Sequence, residues 1–278
     1  AGRTGAEPDT NRTLRQAHNM TATLKRHSVG NTLVLTISNP EHRNALDPAI
    51  YASGVEALNT ADRDPEIKSV VLTGEGAHFC AGGQLQRLLG NRQQAPEVQA
   101  NSIEGLNSWV ETIHSFPKPV IAAVEGACAG AGFSLTLACD MVVAASNSVF
   151  VMAYANVALS PDGGASWNLV RALPRATVVE LLMLGEKLDP QRLHALGLVN
   201  RLAAPDQALQ TALDLAEKLN RRAPNTLASI KELVQQAPDN SLSQQLKAER
   251  DSFVRNLFHP NGAEGIQAFL DKRPPIYQ

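Results

Sequence analysis

The sequence is poor in cysteine, has no dense run of positive charge and lacks a long apolar segment. Its three cysteines, Cys80, Cys128 and Cys139, form no CxxC pair, which disfavours a disulfide framework or a zinc site and fits a reducing, cytoplasmic setting. With 25 basic and 27 acidic residues the net charge is -2, so neither nucleic acid nor an anionic membrane is an expected partner. The apolar runs are shorter than the roughly 20 residues that a membrane span needs.

The common motifs of nucleotide and serine-hydrolase chemistry are also missing. The sequence contains no GxGxxG fingerprint, no P-loop and no GxSxG, which argues against nucleotide-driven phosphoryl transfer and against a serine nucleophile. The histidines are scattered without an HxxxH pair, so we expect solvated or structural roles for them. Residues 1–19 are polar and unpatterned, and we expect them to be a disordered leader.

Two glycine-rich segments stand out, FCAGG at residues 79–83 and GACAGAG at 126–132, and each follows a β-like apolar run. Small residues let the backbone approach a ligand closely and adopt conformations that larger side chains forbid. Two backbone N–H groups directed at one point would form an oxyanion hole, which stabilises a carbonyl oxygen as it becomes an enolate. The alternative is two ordinary tight turns, the usual role of isolated glycines.

Length and patterning predict one large unit with an α/β core. The chain has 278 residues, 44% of them hydrophobic, which is enough for a sizeable core. From residue 21 onward, the first 130 residues alternate β-branched runs with helical segments, and helical segments dominate after residue 160. The predicted strands are 22–27, 32–38, 69–73, 120–124, 141–144 and 198–202. The predicted helices are 48–58 with Asp47 as its cap, 100–114, 177–184, 207–219, 225–235, 242–257 and 262–271, and 85–100 is expected to be a loop.

A series of short motifs runs from residue 21 to residue 277. They are NPEHRNAL at 39–46, VLTG at 71–74, FCAGG at 79–83, PVIAAVEG at 119–126, GAG at 130–132, ACD at 138–140, LGLVN at 196–200 and EGIQAFLDKRP at 264–274. Their combination resembles the crotonase, or enoyl-CoA hydratase/isomerase, superfamily. The resemblance implies an α/β fold with a ββα spiral core over residues 20–200 and a helical C-terminal trimerisation region over 201–278. It also implies homo-trimers that often pair into hexamers.

The resemblance further implies an acyl-CoA substrate, with the coenzyme A thioester as substrate and no separate cofactor or metal. Two backbone N–H groups hold the thioester oxygen in this family, and the matching positions here are Gly83 and Ala131. Arg43, Ala45 and Ala81 match positions that wrap the bent coenzyme A.

Two C-terminal residues match family positions that reach the nucleotide bound by a neighbouring subunit. They are Phe269 and Lys272. The residues alone leave alternatives open, because a lysine at a helix end is commonly solvated and a phenylalanine commonly belongs to the core.

The departures from the family pattern bear on the reaction. Ser134 and Tyr154 stand where family hydratases have two glutamates. Adding water across a C=C bond needs one group to activate the water and one to manage the proton at carbon, and a tyrosine with a pKa near ~10 does not replace a poised carboxylate. Simple hydration is therefore not expected. Ser134, Tyr154 and Trp167 are expected to line the acyl pocket, although each could equally be ordinary packing.

One carboxylate remains, Asp162, in the segment LSPDGGASW at 159–167. It resembles the aspartate of enoyl-CoA isomerases in this superfamily, which removes a proton next to the thioester and returns it two carbons away. Apolar neighbours, with Tyr154, Trp167 and Phe133 as candidates, would raise its pKa into a useful range. The alternative is a turn residue whose charge favours the first turn of a helix.

Other readings of the same residues stay open. The matching aspartate attacks covalently in aromatic acyl-CoA dehalogenases, but these need a supporting histidine between the two loops, where this chain has only His114. A hydrolase with an aspartate nucleophile, a hydratase without the usual glutamates and a non-catalytic acyl-CoA-binding protein are the remaining alternatives.

Overall fold

A six-stranded sheet and a three-stranded sheet form the centre of the structure, a computed structural model that describes residues 22–278. The expectation for residues 1–19 lies outside the described residues. In spatial order, the large sheet contains β1 (Thr23–Val29), β2 (Thr32–Ser38), β3 (Ser69–Gly74), β4 (Val120–Val124), β6 (Met141–Ala145) and β9 (Arg201–Ala203). The small sheet contains β5 (Ala127–Ala129), β7 (Val149–Val151) and β8 (Lys187–Leu188).

The inner strands of the large sheet are parallel and almost entirely buried. Val70 pairs with Val120 in the register of β3 and β4, and Ile121 pairs with Met141 in that of β4 and β6. Both faces of these strands are covered, which explains why the sequence shows continuous Val, Ile and Ala runs instead of alternation. β1 is antiparallel to β2 and forms an exposed, Lys- and Arg-bearing edge, which discourages pairing with other chains.

Helices make up most of the remaining described structure, together with 3-10 turns at Pro40–His42 and Ala155–Val157. They are α1 (Pro48–Arg63), α2 (Leu85–Asn91), α3 (Pro96–Ser115), α4 (Ala131–Ala138), α5 (Ala165–Ala172), α6 (Arg175–Leu184), α7 (Pro190–Ala195), α8 (Ala208–Asn220), α9 (Pro224–Gln236), α10 (Leu242–Leu257) and α11 (Pro260–Leu270). Within residues 22–278, no helix combines the length and apolar character needed to cross a bilayer.

The prediction of a loop over 85–100 is wrong, because α2 and the first turn of α3 occupy most of that segment. The N-terminus of α2 has no side-chain cap and its last turn contains Gly90, so the local signals for a helix are weak. A tertiary contact supports it instead, since Arg87 in α2 donates a hydrogen bond to Ser102 in α3. The cap predicted for α1 is confirmed: the Asp47 carboxylate accepts from the N–H groups of Ala49 and Ile50.

The path of the chain through these elements confirms the spiral core. It passes from β4 in the large sheet to β5 in the small sheet and into α4, and then from β6 to β7 and on to α5. In the two preceding turns of the spiral, isolated β-bridges take the place of the short strands. Leu46 pairs with Gly83, and Cys80 pairs with Cys128. Each turn of the spiral therefore contains a short extended segment that is followed by a helix.

The outer face of the large sheet is covered by α8. Ala208, Ala212 and Ala216 follow one another at the spacing of one helix face and are fully buried against the sheet, and their small side chains allow close approach. The Glu125 carboxylate, which follows β4, accepts from the N–H groups of Asp206 and Ala208 at the start of α8. The helical C-terminal part begins from this contact with the core.

Candidate active site

The two glycine-rich segments lie side by side. The Cys80 N–H donates to the Ala127 carbonyl at 3.0 Å, and the Ala129 N–H donates to the Cys80 carbonyl at 2.9 Å. A Cβ added to Gly132 would lie 2.6 Å from the Cys80 oxygen, and one added to Gly82 would lie 2.8 Å from the Ala129 oxygen. Glycine at these two positions is what permits such close contact, so the two segments form one surface.

This surface presents two backbone N–H groups. The Gly82 carbonyl accepts from Leu46 at 2.8 Å, which holds the peptide before Gly83. Ala131 is the first residue of α4, after Gly130 with φ 50°, and the N–H groups of a first helical turn have no acceptor inside the helix. Within residues 22–278, neither the Gly83 N–H nor the Ala131 N–H donates a hydrogen bond. A Cβ on Gly82 would lie 3.4 Å from the Ala131 nitrogen, so the two donor loops are in contact.

Ser134, Tyr154 and Asp162 form a hydrogen-bonded chain. The Tyr154 hydroxyl donates to Asp162 Oδ1 at 2.6 Å, and the Ser134 and Tyr154 hydroxyl oxygens are 2.8 Å apart. Because the single phenolic proton is used on Asp162, the Ser134 hydroxyl donates to Tyr154. The two residues that replace the hydratase glutamates and the one remaining carboxylate therefore occupy a single site.

The backbone conformation after Asp162 allows its turn to pack closely against the neighbouring helices. Gly163 and Gly164 follow Asp162 with φ values of 58° and 77°, a conformation that glycine adopts at little cost. A Cβ on Gly163 would lie 3.1 Å from Ser134 Cβ in α4 and 3.3 Å from Leu106 Cδ2 in α3. The SPDGG sequence thus brings the carboxylate to α4 while α5 starts just after it.

Burial is the largest influence on the pKa values of Asp162 and Tyr154. It raises the pKa of Asp162 above the ordinary value, and the hydrogen bond from Tyr154 opposes that rise. Burial also raises the pKa of Tyr154, and the negative charge of Asp162 adds to the effect. Tyr154 therefore stays protonated and donates, while Asp162 is a carboxylate of increased basicity, which suits a general base.

The residues expected near coenzyme A are partly brought together. The Ala81 N–H donates to the Arg43 carbonyl at 3.0 Å, which joins the 39–46 segment to the first glycine-rich segment. Arg43 is exposed with φ 50°, and Ala45 is buried with its carbonyl accepting from Asn39 Nδ2 at 2.9 Å.

Sequence reasoning missed Asn44, a positioning residue for this region. Asn44 is fully buried at φ 57°, and its amide donates to the carbonyls of Glu75 at 2.9 Å and His78 at 2.7 Å. Its Oδ1 accepts from the Asn39 N–H at 3.0 Å. The available signal was an asparagine within NPEHRNAL, since this residue type tolerates positive φ and can bridge backbone groups.

The remaining aromatic candidates have other described neighbours. Trp167 is 44% exposed, and its ring contacts His114 edge-on at 5.4 Å and the Arg171 guanidinium at 3.7 Å. Phe133 is buried edge-on against Phe150 at 5.0 Å. Whether Trp167 lines an acyl pocket stays a prediction, but these contacts place it on the outer side of α5.

Phe269 and Lys272 lie at the exposed C-terminal end. Phe269 is 83% exposed, so the alternative of a core residue within one chain is wrong. Lys272 follows α11 with φ 55° and is also exposed. Both side chains are accessible to a second molecule.

His114 belongs to a different cluster from Asp162. Burial lowers its pKa, the Lys231 ammonium lowers it further, and the Asp140 carboxylate opposes them. Lys231 and Asp140 form an ion pair at 2.9 Å. These neighbours give no support to His114 as the partner of a nucleophilic Asp162.

Two further searches of the described residues bear on the site. In residues 22–278, no group of three or more His, Cys, Asp or Glu side chains is placed to share a metal ion. A cavity of about 700 Å³ lies between α1 and α3, and its lining contains none of the residues expected to act in the site. It is lined by Pro48, Ala52, Val55, Glu56, Asn59, Thr60, Arg63, Gly105 and Ser108.

Comparison with known proteins gives consistent matches over almost the whole chain. Residues 28–278 match the family model described as Enoyl-CoA hydratase/isomerase. The 1,2-epoxyphenylacetyl-CoA isomerase of Escherichia coli is 35% identical over 252 residues, which are 90% of this chain and 96% of that protein. A putative enoyl-CoA hydratase of Thermus thermophilus is 35% identical over 251 residues, 89% of this chain and 98% of that protein.

The fold matches solved structures equally well. The crystal structure of an enoyl-CoA hydratase from Polaromonas sp. JS666 has a TM-score of 0.91 and 66% sequence identity. The match covers 92% of this chain and 100% of that one.

Proposed function

The chain belongs to the enoyl-CoA hydratase/isomerase family, and we propose that it is an enoyl-CoA isomerase, which moves a C=C bond along an acyl thioester. The observation that carries the proposal is the half-buried carboxylate of Asp162, hydrogen-bonded to Tyr154 where a family hydratase would have a second acid. One carboxylate is enough to move one proton, whereas hydration requires two groups.

The proposed reaction starts with the thioester oxygen bound between the N–H groups of Gly83 and Ala131. Neither N–H group donates a hydrogen bond within residues 22–278, which supports their availability to a ligand. A preorganised donor stabilises a developing oxyanion by about 3 kcal/mol or more. Binding there lowers the pKa of the carbon acid next to the carbonyl, so that a carboxylate can remove its proton.

Asp162 then transfers the proton. The ionised carboxylate takes it from the α-carbon of a 3-enoyl thioester, and the electron pair spreads over a dienolate whose oxygen lies between the two N–H groups. Protonated Asp162 returns the proton at the γ-carbon, which gives the conjugated 2-enoyl thioester and restores the carboxylate. The proton balance is closed and no water enters. The Tyr154 hydrogen bond, at 2.6 Å, holds one carboxylate oxygen, and the other oxygen carries the proton in the proposed transfer.

The names of the relatives point in two directions. The name 1,2-epoxyphenylacetyl-CoA isomerase supports an isomerase, and the hydratase names of other relatives favour hydration. The site favours the first, because Ser134 and Tyr154 supply neutral hydroxyl groups and burial holds the pKa of Tyr154 above its ordinary value.

The test uses matched 3-enoyl and 2-enoyl CoA thioesters. We expect the parent protein to convert 3-enoyl into 2-enoyl thioester, seen as a rise in absorbance of the conjugated product and confirmed by chromatography. Asp162→Asn should lower kcat by about 10²- to 10⁴-fold, the usual contribution of a positioned base. Asp214→Asn is the matched control, since Asp214 is an exposed carboxylate on α8.

Three results would contradict the proposal. Unchanged turnover by Asp162→Asn would show that Asp162 is not the general base. Accumulation of a 3-hydroxyacyl thioester as the main product would identify a hydratase. Binding of acyl-CoA without any turnover across the panel would leave a binding protein.

A further inference from the structure

Arg87 is a half-buried cation whose counterion is not supplied by the described chain. Its Nη1 donates to Ser102 Oγ at 2.9 Å, while its buried Nε has no hydrogen-bond partner among residues 22–278. No described carboxylate lies within 4.0 Å of the guanidinium. Charges removed from water are normally paired, so this guanidinium is suited to an anion that arrives with a ligand.

Arg87 lies on the helix that follows one of the two N–H donors in the sequence. Helix α2 begins at Leu85, just after Gly83, and Leu88 Cδ1 would lie 3.8 Å from a Cβ on Gly83. Arg87 is therefore carried by the helix that continues from the oxyanion loop, and a thioester bound at Gly83 would lie close to this helix.

One face of α3 connects Arg87 to Asp162. Residues 102, 105 and 106 share that face, because positions three and four apart on a helix are neighbours. Ser102 binds Arg87. A Cβ on Gly105 would meet the Tyr51 ring at 3.3 Å, and Leu106 lies 3.3 Å from the Cβ position of Gly163.

This face orders three groups along a short path. Ser102 and Leu106 are separated by about 6 Å along the helix axis, at about 1.5 Å per residue. Arg87 is therefore at one end, the Asp162 turn at the other, and the Tyr51 ring between them. An acyl chain of several carbons has the length to extend from Asp162 towards Arg87.

Tyr51 lies within the electrostatic range of both charged groups. Burial raises its pKa to about 12, the positive charge of Arg87 opposes the rise and the negative charge of Asp162 adds to it. Tyr51 is thus a neutral phenol between a cation and the proposed catalytic carboxylate. Such a residue suits the lining of a pocket for an acyl chain that ends in a charged group.

We propose that Arg87, supported by Ser102 and Tyr51, binds a carboxylate at the distal end of the acyl chain. The substrate class is then a CoA thioester of a dicarboxylic acid with one C=C bond. A guanidinium matches a carboxylate because its donors form a planar fork. The inference rests on the proposed function for placing the thioester at Gly83 and Ala131.

The first test uses the unaltered protein and ligands that cannot react. Two saturated acyl-CoA thioesters of equal length, one ending in a carboxylate and one in a methyl group, are compared by isothermal titration calorimetry. We expect the carboxylate ligand to bind about tenfold more tightly or better, which is the effect of a hydrogen bond to a charged group. Equal affinity, or a preference for the methyl ligand, would overturn the proposal.

The second test separates the acyl carboxylate from the coenzyme A phosphates as the anion. Arg87→Met should abolish the preference, Arg87→Lys should keep part of it, and Arg92→Met should keep all of it because Arg92 is exposed at the end of α2. Free coenzyme A should bind parent and Arg87→Met equally. A similar loss for free coenzyme A and both thioesters would assign Arg87 to the phosphates and overturn the proposal.

These binding measurements do not depend on turnover. A protein that prefers the carboxylate ligand but isomerises nothing would refute the isomerase proposal and leave this subsite standing. An active isomerase without the preference would do the opposite.

Discussion

In the proposed reaction, the hydrogen bond from Tyr154 sets the pH range in which Asp162 can act as a base. Burial raises the pKa of this carboxylate, and the bond from Tyr154 lowers it by stabilising the anion. The base acts only when ionised, so the acid limb of kcat/KM against pH follows the pKa of Asp162 in the free enzyme. Losing the bond should therefore raise that pKa and move the acid limb to higher pH.

Tyr154→Phe tests this relation. We expect the acid limb of the kcat/KM profile to shift upward by about one to two pH units, because a hydrogen bond to a charged group contributes about 1.5–3 kcal/mol and one pKa unit corresponds to about 1.4 kcal/mol. Tyr277→Phe is the control, since Tyr277 lies against Gly265 in α11. An unchanged or downward-shifted limb in Tyr154→Phe would show that Asp162 is not the titrating base.

Single residues also show where sequence reasoning stops. Ser134, Tyr154 and Asp162 were identified by matching the family pattern, but their common hydrogen-bonded chain depends on α4 and the Asp162 turn meeting in space. Arg87 had no local signal, because its position depends on Ser102 in a helix that the sequence does not show to be adjacent. The roles assigned to all these residues remain proposals.

Contact between the two glycine-rich segments depends on the absence of a side chain at Gly132. This residue lies in the first turn of α4, and a Cβ there would meet the Cys80 oxygen at 2.6 Å and Cys80 Sγ at 2.8 Å. The Cys80 carbonyl oxygen also accepts a hydrogen bond from the Ala129 N–H. An alanine would therefore have to separate the loops that carry Gly83 and Ala131.

Gly132→Ala is expected to destabilise the protein by about 1–3 kcal/mol, as for an overpacked interior, and to lower kcat at least tenfold. Urea unfolding and steady-state kinetics measure the two effects. The control is Gly90→Ala in α2, where an added Cβ meets no atom within 4 Å and helix propensity favours alanine by about 0.5–1 kcal/mol. A Gly132→Ala protein as stable and active as Gly90→Ala would show that the contact is not required.

Long elements were predictable and short ones were not. The expected bounds of β2, β4 and α10 agree with the structure, because β-branched runs and helical periodicity extend over several residues. The three-residue β5 and β7 and the two-residue β8 are held by pairing with each other. Strands of two or three residues are too short to show a sequence pattern. They can be recognised only once the folded chain brings them together.

At the scale of the whole molecule, the exposed phenylalanines among residues 22–278 all lie on or next to the C-terminal helices α10 and α11. Phe253, Phe258 and Phe269 are 70%, 83% and 83% exposed, and soluble monomers rarely leave large apolar patches uncovered. We propose that this surface binds further copies of the chain, as the expected trimer or hexamer requires. The division into residues 20–200 and 201–278 stays a prediction. The structure adds that β9 at Arg201–Ala203 pairs with β6, so these three residues belong to the large sheet.

A subunit interface would also give Phe269 and Lys272 a way to reach a neighbour's nucleotide. Subunit complementation tests this with Asp162→Asn, which keeps Lys272, and Lys272→Ala, which keeps Asp162. We expect Lys272→Ala alone to raise KM about tenfold, or ~1.4 kcal/mol, through loss of a phosphate contact. Reassembled mixtures should contain sites with both native residues, and these should appear as a kinetic component with the parent KM.

The control mixture replaces Asp162→Asn with the double variant Asp162→Asn and Lys272→Ala, which cannot supply the lysine to any neighbour. Light scattering establishes whether each protein forms trimers or hexamers before mixing. If the two mixtures have the same KM, Lys272 does not act across an interface. If the parent chain is a monomer at assay concentration, the exposed aromatic surface is not a subunit interface, and the phenylalanine and lysine at the C-terminus have no neighbour to serve.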